Sequence, residues 1–132
     1  MKLRRALAML VLLLGGAAAV QAQAPVQPAP EPPFDPYHAE KNIEVGQYYM
    51  KKGNYDAAIE RFREAARYQP NLARAYRLLG EAHEKKGNKA EAVKAYRKYL
   101  EILPAAEDAG KVRKRIVKLS RDLDRAARRP SG

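Results

Sequence analysis

The chain has 132 residues, of which 26 are Lys or Arg and 15 are Asp or Glu, and its formal net charge is +11. It contains no cysteine, which excludes disulfides, Fe–S clusters and thiol nucleophiles, and its length allows one small domain. Such a basic composition raises the question of an anionic partner, which depends on where the charge lies along the chain.

Residues 1–22 have the pattern of a secretory signal peptide. Three basic residues lie within the first five positions, an uncharged apolar run follows over residues 6–20, and small residues come next. We expect cleavage after Ala22 and therefore an exported protein, periplasmic or secreted. The alternative is an uncleaved N-terminal membrane anchor, but the apolar run is shorter than the ~20 residues that span a bilayer. Without a cysteine, the chain is not a bacterial lipoprotein.

Residues 23–36 contain six prolines and predict a disordered linker. Proline-rich segments favour the extended polyproline II conformation and do not build a packed core. A PxxP-type ligand for a partner is the alternative to a simple spacer. At its end, Phe34 and Tyr37 are expected to dock on the first helix, and Asp35 and Pro36 are expected to begin it.

Residues 39–106 contain two copies of a 34-residue unit. A shift of 34 positions yields nine identities, among them glycines 46 and 53, which return at 80 and 87. Each unit predicts two helices, because the Gly-Asn pairs at 53–54 and 87–88 suit the end of one helix and the start of the next. Pro70 and Pro104 are expected to end the second helices.

The apolar and capping residues predict how these helices begin and pack. Asn88 and Glu91 have nearly the spacing of a capping box. In the first unit, one face of the first helix is expected to pack against one face of the second. The first face consists of Val45, Gly46 and Tyr49, and the second of Ala58, Phe62 and Ala65.

The repeated positions resemble the tetratricopeptide repeat (TPR), whose signature is W-x2-L-G-x2-Y, then A-x3-F, then P, over 34 residues. At the signature positions the two copies hold Asn42, Val45, Gly46, Tyr49, Ala58, Phe62 and Pro70, and Tyr76, Leu79, Gly80, His83, Ala92, Tyr96 and Pro104. The resemblance implies an all-α helix-turn-helix solenoid of two repeats, residues 37–72 and 73–106. Asn42, His83 and Tyr99 depart from the usual pattern, and His83 is expected to be a packed, hydrogen-bonded core residue.

Residues 107–126 predict an amphipathic basic helix that caps the solenoid, followed by a flexible tail at 127–132. Its apolar stripe and its basic face consist of Val112, Ile116, Leu119 and Leu123, and of Lys114, Lys118, Arg121 and Arg125, respectively. Two repeats are fewer than the three or so of an independent array. This helix, the N-terminal aromatic residues or self-association must therefore supply the missing burial.

The sequence contains no catalytic constellation, and we expect neither a cofactor nor a metal. Its two serines, Ser120 and Ser131, have no plausible histidine partner, and it has no Gly-rich phosphate loop and no metal-ligand spacing. We therefore predict a protein that is not an enzyme.

The resemblance to TPR proteins implies a concave binding face, formed by positions 2, 5, 9 and 12 of each first helix. These positions hold Glu40, Ile43, Gln47, Met50, Arg74, Arg77, Glu81 and Glu84. Such a face suits an extended peptide or a partner helix, and an ordinary solvated surface is the alternative. Some TPR chaperone adaptors use a Lys/Asn clamp for C-terminal carboxylates, which is absent here because Ile43 and Gln47 occupy those places.

The net charge lies mainly at the C-terminal end: residues 1–22 carry +3, residues 23–110 carry +1 and residues 111–132 carry +7. Lys114, Lys118, Arg121 and Arg125 are therefore candidate contacts for an anionic partner, and a solvated helix face is the alternative. A membrane surface is one such partner. Nucleic acid is disfavoured, because the protein is expected to be exported and no aromatic residue interrupts the basic run.

Taken together, these features predict a non-enzymatic scaffold or adaptor that mediates protein–protein interaction in the bacterial cell envelope. One alternative is a component of an outer-membrane protein assembly machinery, since residues 36–104 have a distant similarity to the TPR lipoprotein of β-barrel assembly. The other alternative is a protein that binds an anionic lipid or nucleic acid through the basic C-terminal helix.

Overall fold

The computed structural model describes residues 24–129, which form five α-helices and no strand. The helices are α1 (Pro36–Lys51), α2 (Tyr55–Tyr68), α3 (Ala73–Lys86), α4 (Lys89–Ile102) and α5 (Ala109–Ala127). Each helix packs on the next one along the chain, as in a solenoid. The predicted all-α repeat fold is confirmed. The predicted signal peptide and the last three residues of the predicted tail lie outside the described residues.

Helices α1 and α2 begin after the capping residues that the sequence predicts. Asp35 caps α1, since its Oδ1 accepts a hydrogen bond of 3.0 Å from the His38 backbone N–H. Asn54 caps α2 in the same way. Gly53 and Gly87 both have positive φ values, +72° and +89°, which an L-residue with a side chain rarely adopts.

The capping box predicted for α4 is wrong. The side chain of Asn88 makes no hydrogen bond to the first turn of that helix. Its amide Nδ2 instead lies 3.5 Å from Nδ1 of His83, which is buried at the end of α3. The Asn88 side chain therefore contacts the buried His83 imidazole instead of capping α4.

A contact between a glycine and an aromatic ring holds the two helices of each unit together. Phe62 packs against Gly46 and Tyr96 packs against Gly80, and both aromatic side chains are fully buried. A Cβ atom added at Gly46 would lie 2.7 Å from Phe62 Cδ1, and one added at Gly80 would lie 2.9 Å from Tyr96 Cγ. Only glycine therefore allows this helix spacing.

Two of the predicted packing contacts are wrong. Val45 does not face α2, since 38% of its surface is exposed, whereas Leu79 at the same repeat position is 7% exposed. Leu79 lies against the core that α2 provides, and within residues 24–129 no helix precedes α1 to cover Val45. Phe34 and Tyr37 do not dock on α1 either, because they are 66% and 67% exposed.

The last helix covers the open side of α4. Val112 and Leu119 are buried with Tyr96 and Tyr99, and Ile116 packs at the edge of this cluster. The Tyr99 hydroxyl donates a hydrogen bond to Asp108, just before α5. Farther along, Lys89 forms an ion pair with Asp122 at 3.1 Å. Leu123 is only partly buried, so the apolar contact weakens toward the C-terminal end of α5.

We expect Gly80→Ala to lower the free energy of unfolding by about 1–3 kcal/mol, because the added methyl group collides with the buried Tyr96 ring. Gly110→Ala is the matched control: that glycine lies in α5 with nothing within 4 Å of an added Cβ. There the higher helix propensity of alanine should raise stability by about 0.5 kcal/mol. Urea unfolding followed by circular dichroism measures both, and equal effects would contradict the close-packing argument.

His83 is the one buried polar residue among those described, with 5% of its surface exposed. Burial, and then the positive charge of Arg63, hold the pKa of His83 below its ordinary value. The folded protein therefore binds this proton less readily than the unfolded chain does.

Because the pKa of His83 is lower in the folded state, its contribution to stability is present above about pH 6.5 and is lost as the pH falls toward the folded pKa. The free energy of unfolding should therefore decrease between about pH 7.5 and 5.5. His83→Gln should remove this part of the decrease, whereas His38→Gln, which removes the exposed imidazole, should leave it. Denaturant titrations at each pH test this, and an unchanged pH profile in His83→Gln would contradict it.

Candidate protein-binding groove

Three helices, α1, α3 and α5, place polar side chains along a common surface. The Arg74 guanidinium donates to Glu40 at 2.8 Å and to Gln47 at 3.2 Å, which joins α3 to α1. On the other side of α3, Arg115 Nε lies 3.6 Å from Glu84 Oε2, which joins α3 to α5. The surface is therefore one continuous groove with α3 at its centre.

One of the eight predicted groove residues is not on this surface. Ile43 is fully buried, in the same core cluster as Phe62 and Leu78, so its assignment to the binding face is wrong. Ile43 is the largest fully buried side chain of α1. Of the other seven, Met50 is partly buried and lies beside Glu84 at the edge of the groove.

The larger cleft of the groove lies between α3 and α5. It is a cleft of about 550 Å³. The side chains along it belong to α3, to the buried face of α4, to the residue just before α5 and to α5; they are Arg77, Glu81, Tyr96, Asp108, Lys111, Val112, Lys114, Arg115 and Lys118. A smaller cleft of about 520 Å³ continues from it toward Met50 and shares Glu81 and Arg115 with it.

Tyr96 connects this cleft to the core. Its ring is buried against Gly80, and its hydroxyl donates a hydrogen bond of 2.8 Å to Glu84. Arg115 lies 3.4 Å from the same hydroxyl and 6.0 Å from the ring centroid. Burial, and then the Glu84 hydrogen bond, raise the pKa of Tyr96 well above its usual range. The hydroxyl therefore stays protonated and fixes the position of the Glu84 carboxylate.

The acidic residues of the groove are already paired within the chain. Arg77 binds Glu81 at 2.7 Å and lies 3.9 Å from Asp108, and Glu84 contacts both Tyr96 and Arg115. In contrast, Lys111, Lys114 and Lys118 form no ion pair with any residue of the described part of the chain. The α5 side of the cleft is therefore a positively charged wall that can accept anionic groups.

Sequence reasoning missed Lys111 and Arg115, although a signal was available. Applying the 34-residue shift a second time places Asp108, Lys111, Arg115 and Lys118 at positions 2, 5, 9 and 12 of a third unit. All four line the cleft in the structure. The helix α5 therefore holds the place that the first helix of a third repeat would hold.

The four residues of the predicted basic face are all exposed. All four border a depression of about 540 Å³ along α5; Lys114 and Lys118 also line the groove, whereas Arg121 and Arg125 do not. Arg121 and Arg125 therefore serve as a comparison for residues that act within the groove.

Another cleft, of about 560 Å³, lies outside the groove, between α2, α3 and α4. Leu79, Val93 and His83 line it together with charged residues of both signs, among them Arg63 and Glu91. Its charges include the Lys98–Glu101 pair at 2.9 Å. This cleft has no wall of a single charge comparable to that of α5.

Within residues 24–129, no three His, Asp or Glu side chains come together in a way that would hold a metal ion. In the same range, no helix has the length and apolar character needed to cross a bilayer.

Comparison with known proteins matches residues 45–107 to the family described as tetratricopeptide repeat. The chain is 38% identical over 59 residues to a small glutamine-rich tetratricopeptide repeat-containing protein 2 from Mycosarcoma maydis, which covers 45% of this chain and 17% of the relative. It is 33% identical over 72 residues to Hsp70-Hsp90 organizing protein 3 from Arabidopsis thaliana, covering 54% of this chain and 13% of the relative. The chain thus matches only a small part of these relatives' length. Residues 45–107 therefore match the tetratricopeptide repeat family, and the structure shows an all-α helical repeat fold.

Proposed function

We propose that this chain is a non-enzymatic scaffold that binds an acidic segment of a partner protein in the groove between α3 and α5. The observation that supports this most directly is a set of three lysines along one wall of the cleft, Lys111, Lys114 and Lys118, which are unpaired among the described residues. The carboxylates that face them on α3 are already engaged within the chain. An incoming carboxylate would therefore meet free positive charge without displacing an existing ion pair.

The shape of the groove also suits an extended segment. The two clefts share Glu81 and Arg115, so they form one path along α3. This path ends at Met50, whose flexible thioether side chain adapts to varied apolar groups. A partner segment with acidic residues along α5 and an apolar residue at Met50 fits this arrangement.

The proposed recognition differs from a C-terminal carboxylate clamp. The name of the Arabidopsis relative associates that protein with Hsp70 and Hsp90. In this chain, the two clamp positions hold Ile43, which is buried, and Gln47, which is hydrogen-bonded to Arg74. We therefore propose that acidic side chains of the partner are recognised along α5.

Replacing Lys111 and Lys118 by Glu should weaken binding of acidic peptides by about tenfold or more, because the variant places like charges against the ligand. The matched control replaces Arg121 and Arg125 by Glu, which makes the same change in net charge outside the groove. Fluorescence anisotropy with a labelled library of peptides carrying Glu and one Leu provides the measurement.

A peptide library with Lys in place of Glu completes the design. The proposal expects these peptides to bind neither protein tightly. It is overturned if both double variants lose affinity equally, which would indicate a non-specific charge effect, or if the acidic peptides do not bind the unmodified chain.

We also propose that the scaffold works in the bacterial cell envelope, on the basis of the signal-peptide pattern of residues 1–22. N-terminal sequencing of the protein recovered from the periplasm of an expressing bacterium should find Gln23 as the first residue. Ala22→Arg should block processing, because the peptidase requires a small residue at this place. A chain that keeps Met1 and sediments with membranes would support the uncleaved anchor instead, and one that stays in the cytoplasm would contradict export.

A further inference from the structure

The outer surface of α1 carries a row of exposed side chains that the groove does not use. We call it the α1 stripe; it consists of Tyr37, Lys41, Glu44, Val45 and Tyr48. Helix geometry places all five within an arc of about 100°. Among them, Tyr37, Val45 and Tyr48 are 67%, 38% and 56% exposed, which is a large exposure for apolar and aromatic residues on one helix face.

The repeat itself identifies the stripe as a packing surface. A shift of 34 residues takes the last four members of the stripe to Ala75, Leu78, Leu79 and Ala82 in α3. These four are between 0% and 7% exposed and share a core cluster with residues of α2. The face that α1 leaves open is therefore the one that α3 uses to contact the preceding helix. No part of residues 24–129 covers it in α1.

The chemistry of the stripe differs from that of its equivalent in α3. Lys41 and Glu44 form an ion pair at 2.9 Å, and the Lys41 ammonium lies 5.8 Å from the centre of the Tyr37 ring. Lys52 lies 5.6 Å from the centre of the Tyr48 ring. The stripe thus combines an aromatic residue near each end with one acid and one base between them.

We propose that the α1 stripe binds the α1 stripe of a second copy of this chain, with the two helices antiparallel about a two-fold axis. If the axis passes between positions 42 and 43, Tyr37 of each copy lies opposite Tyr48 of the other. In the same register, Lys41 of each copy lies opposite Glu44 of the other. One alignment therefore pairs both the aromatic residues and the charges.

Charge complementarity selects a second copy as the occupant. A two-fold interface requires a surface that complements itself, and the order aromatic, base, acid, aromatic along α1 does so. The two tyrosines are eleven residues apart, or about 16 Å along the helix, so the contact covers about three turns. A contact of this size with a polar centre forms a weak and reversible dimer.

Sedimentation equilibrium of the full chain at increasing concentration should detect this dimer. Lys41→Glu and Glu44→Lys should each weaken it by about tenfold or more, since each places two pairs of like charges across the two-fold axis. The variant with both substitutions should recover the affinity of the unmodified chain, because the exchanged acid and base again lie opposite each other across the axis. Circular dichroism shows whether each variant keeps its helices.

A matched control exchanges Glu60 and Arg63, an exposed pair on α2 with the same spacing and a separation of 3.1 Å. It should leave the dimer unchanged, as should the Lys111 and Lys118 variant of the groove, so this proposal and the proposed function fail independently. The proposal is overturned if the unmodified chain stays monomeric up to about 1 mM. It is also overturned if the double exchange does not restore association, which would mean that Lys41 and Glu44 do not lie opposite each other in the dimer.

Discussion

The close contact between a glycine and an aromatic ring in each unit determines both the spacing of the helices and the floor of the groove. Because Gly80 has no side chain, the Tyr96 ring passes directly beneath α3. Its hydroxyl then reaches the groove, where it meets Glu84 and Arg115. The ring packing that stabilises the second unit therefore also positions the charges available to a ligand. In the first unit the aromatic residue is Phe62, which has no hydroxyl, so the polar network exists only where α5 is present to use it.

Most of the positive charge outside residues 1–22 lies on α5 and the residues after it, whereas the two repeats are nearly neutral. The helix α5 stabilises the array by covering Tyr96 and Tyr99 with Val112 and Leu119. The other faces of α5 can carry charged residues, because only a narrow apolar stripe of this helix packs against α4. Lys111, Lys114 and Lys118 then form the wall of the groove. The excess positive charge is thus concentrated on the helix that forms the basic wall of the groove.

Much of the fold can be predicted from the sequence, because the 34-residue period places glycine, proline and the aromatic residues at positions with clear steric roles. The errors occur where a residue depends on a neighbour outside its own repeat. The repeat pattern assumes a helix on both sides of each first helix, so it mispredicts Val45, because within residues 24–129 α1 has a neighbour on one side only. Ile43 is mispredicted for a different reason, since it packs into the core cluster that α1 shares with α2 and α3. The groove wall is harder to predict, because Arg113 stands where Val45 and Leu79 stand in the two units and obscures the continuation of the period into α5. The contact between Asn88 and His83 depends on the three-dimensional arrangement of two helix ends, which no local pattern contains.

The two end helices of this array, α1 and α5, carry different side chains on their outer faces. This difference affects what each end of the array can bind. At the C-terminal end, the outer side of α5 is strongly basic, which disfavours contact with a second copy of itself. At the N-terminal end, α1 keeps apolar and aromatic side chains on its outer face. On α1, the groove residues Gln47 and Met50 lie away from the stripe, and Glu40 is the groove residue that borders it. A dimer formed through the stripe therefore leaves two grooves open, and a partner with two acidic segments would gain affinity from binding both. In this way a chain with only two repeats would achieve the extended binding surface that longer solenoids build by adding repeats.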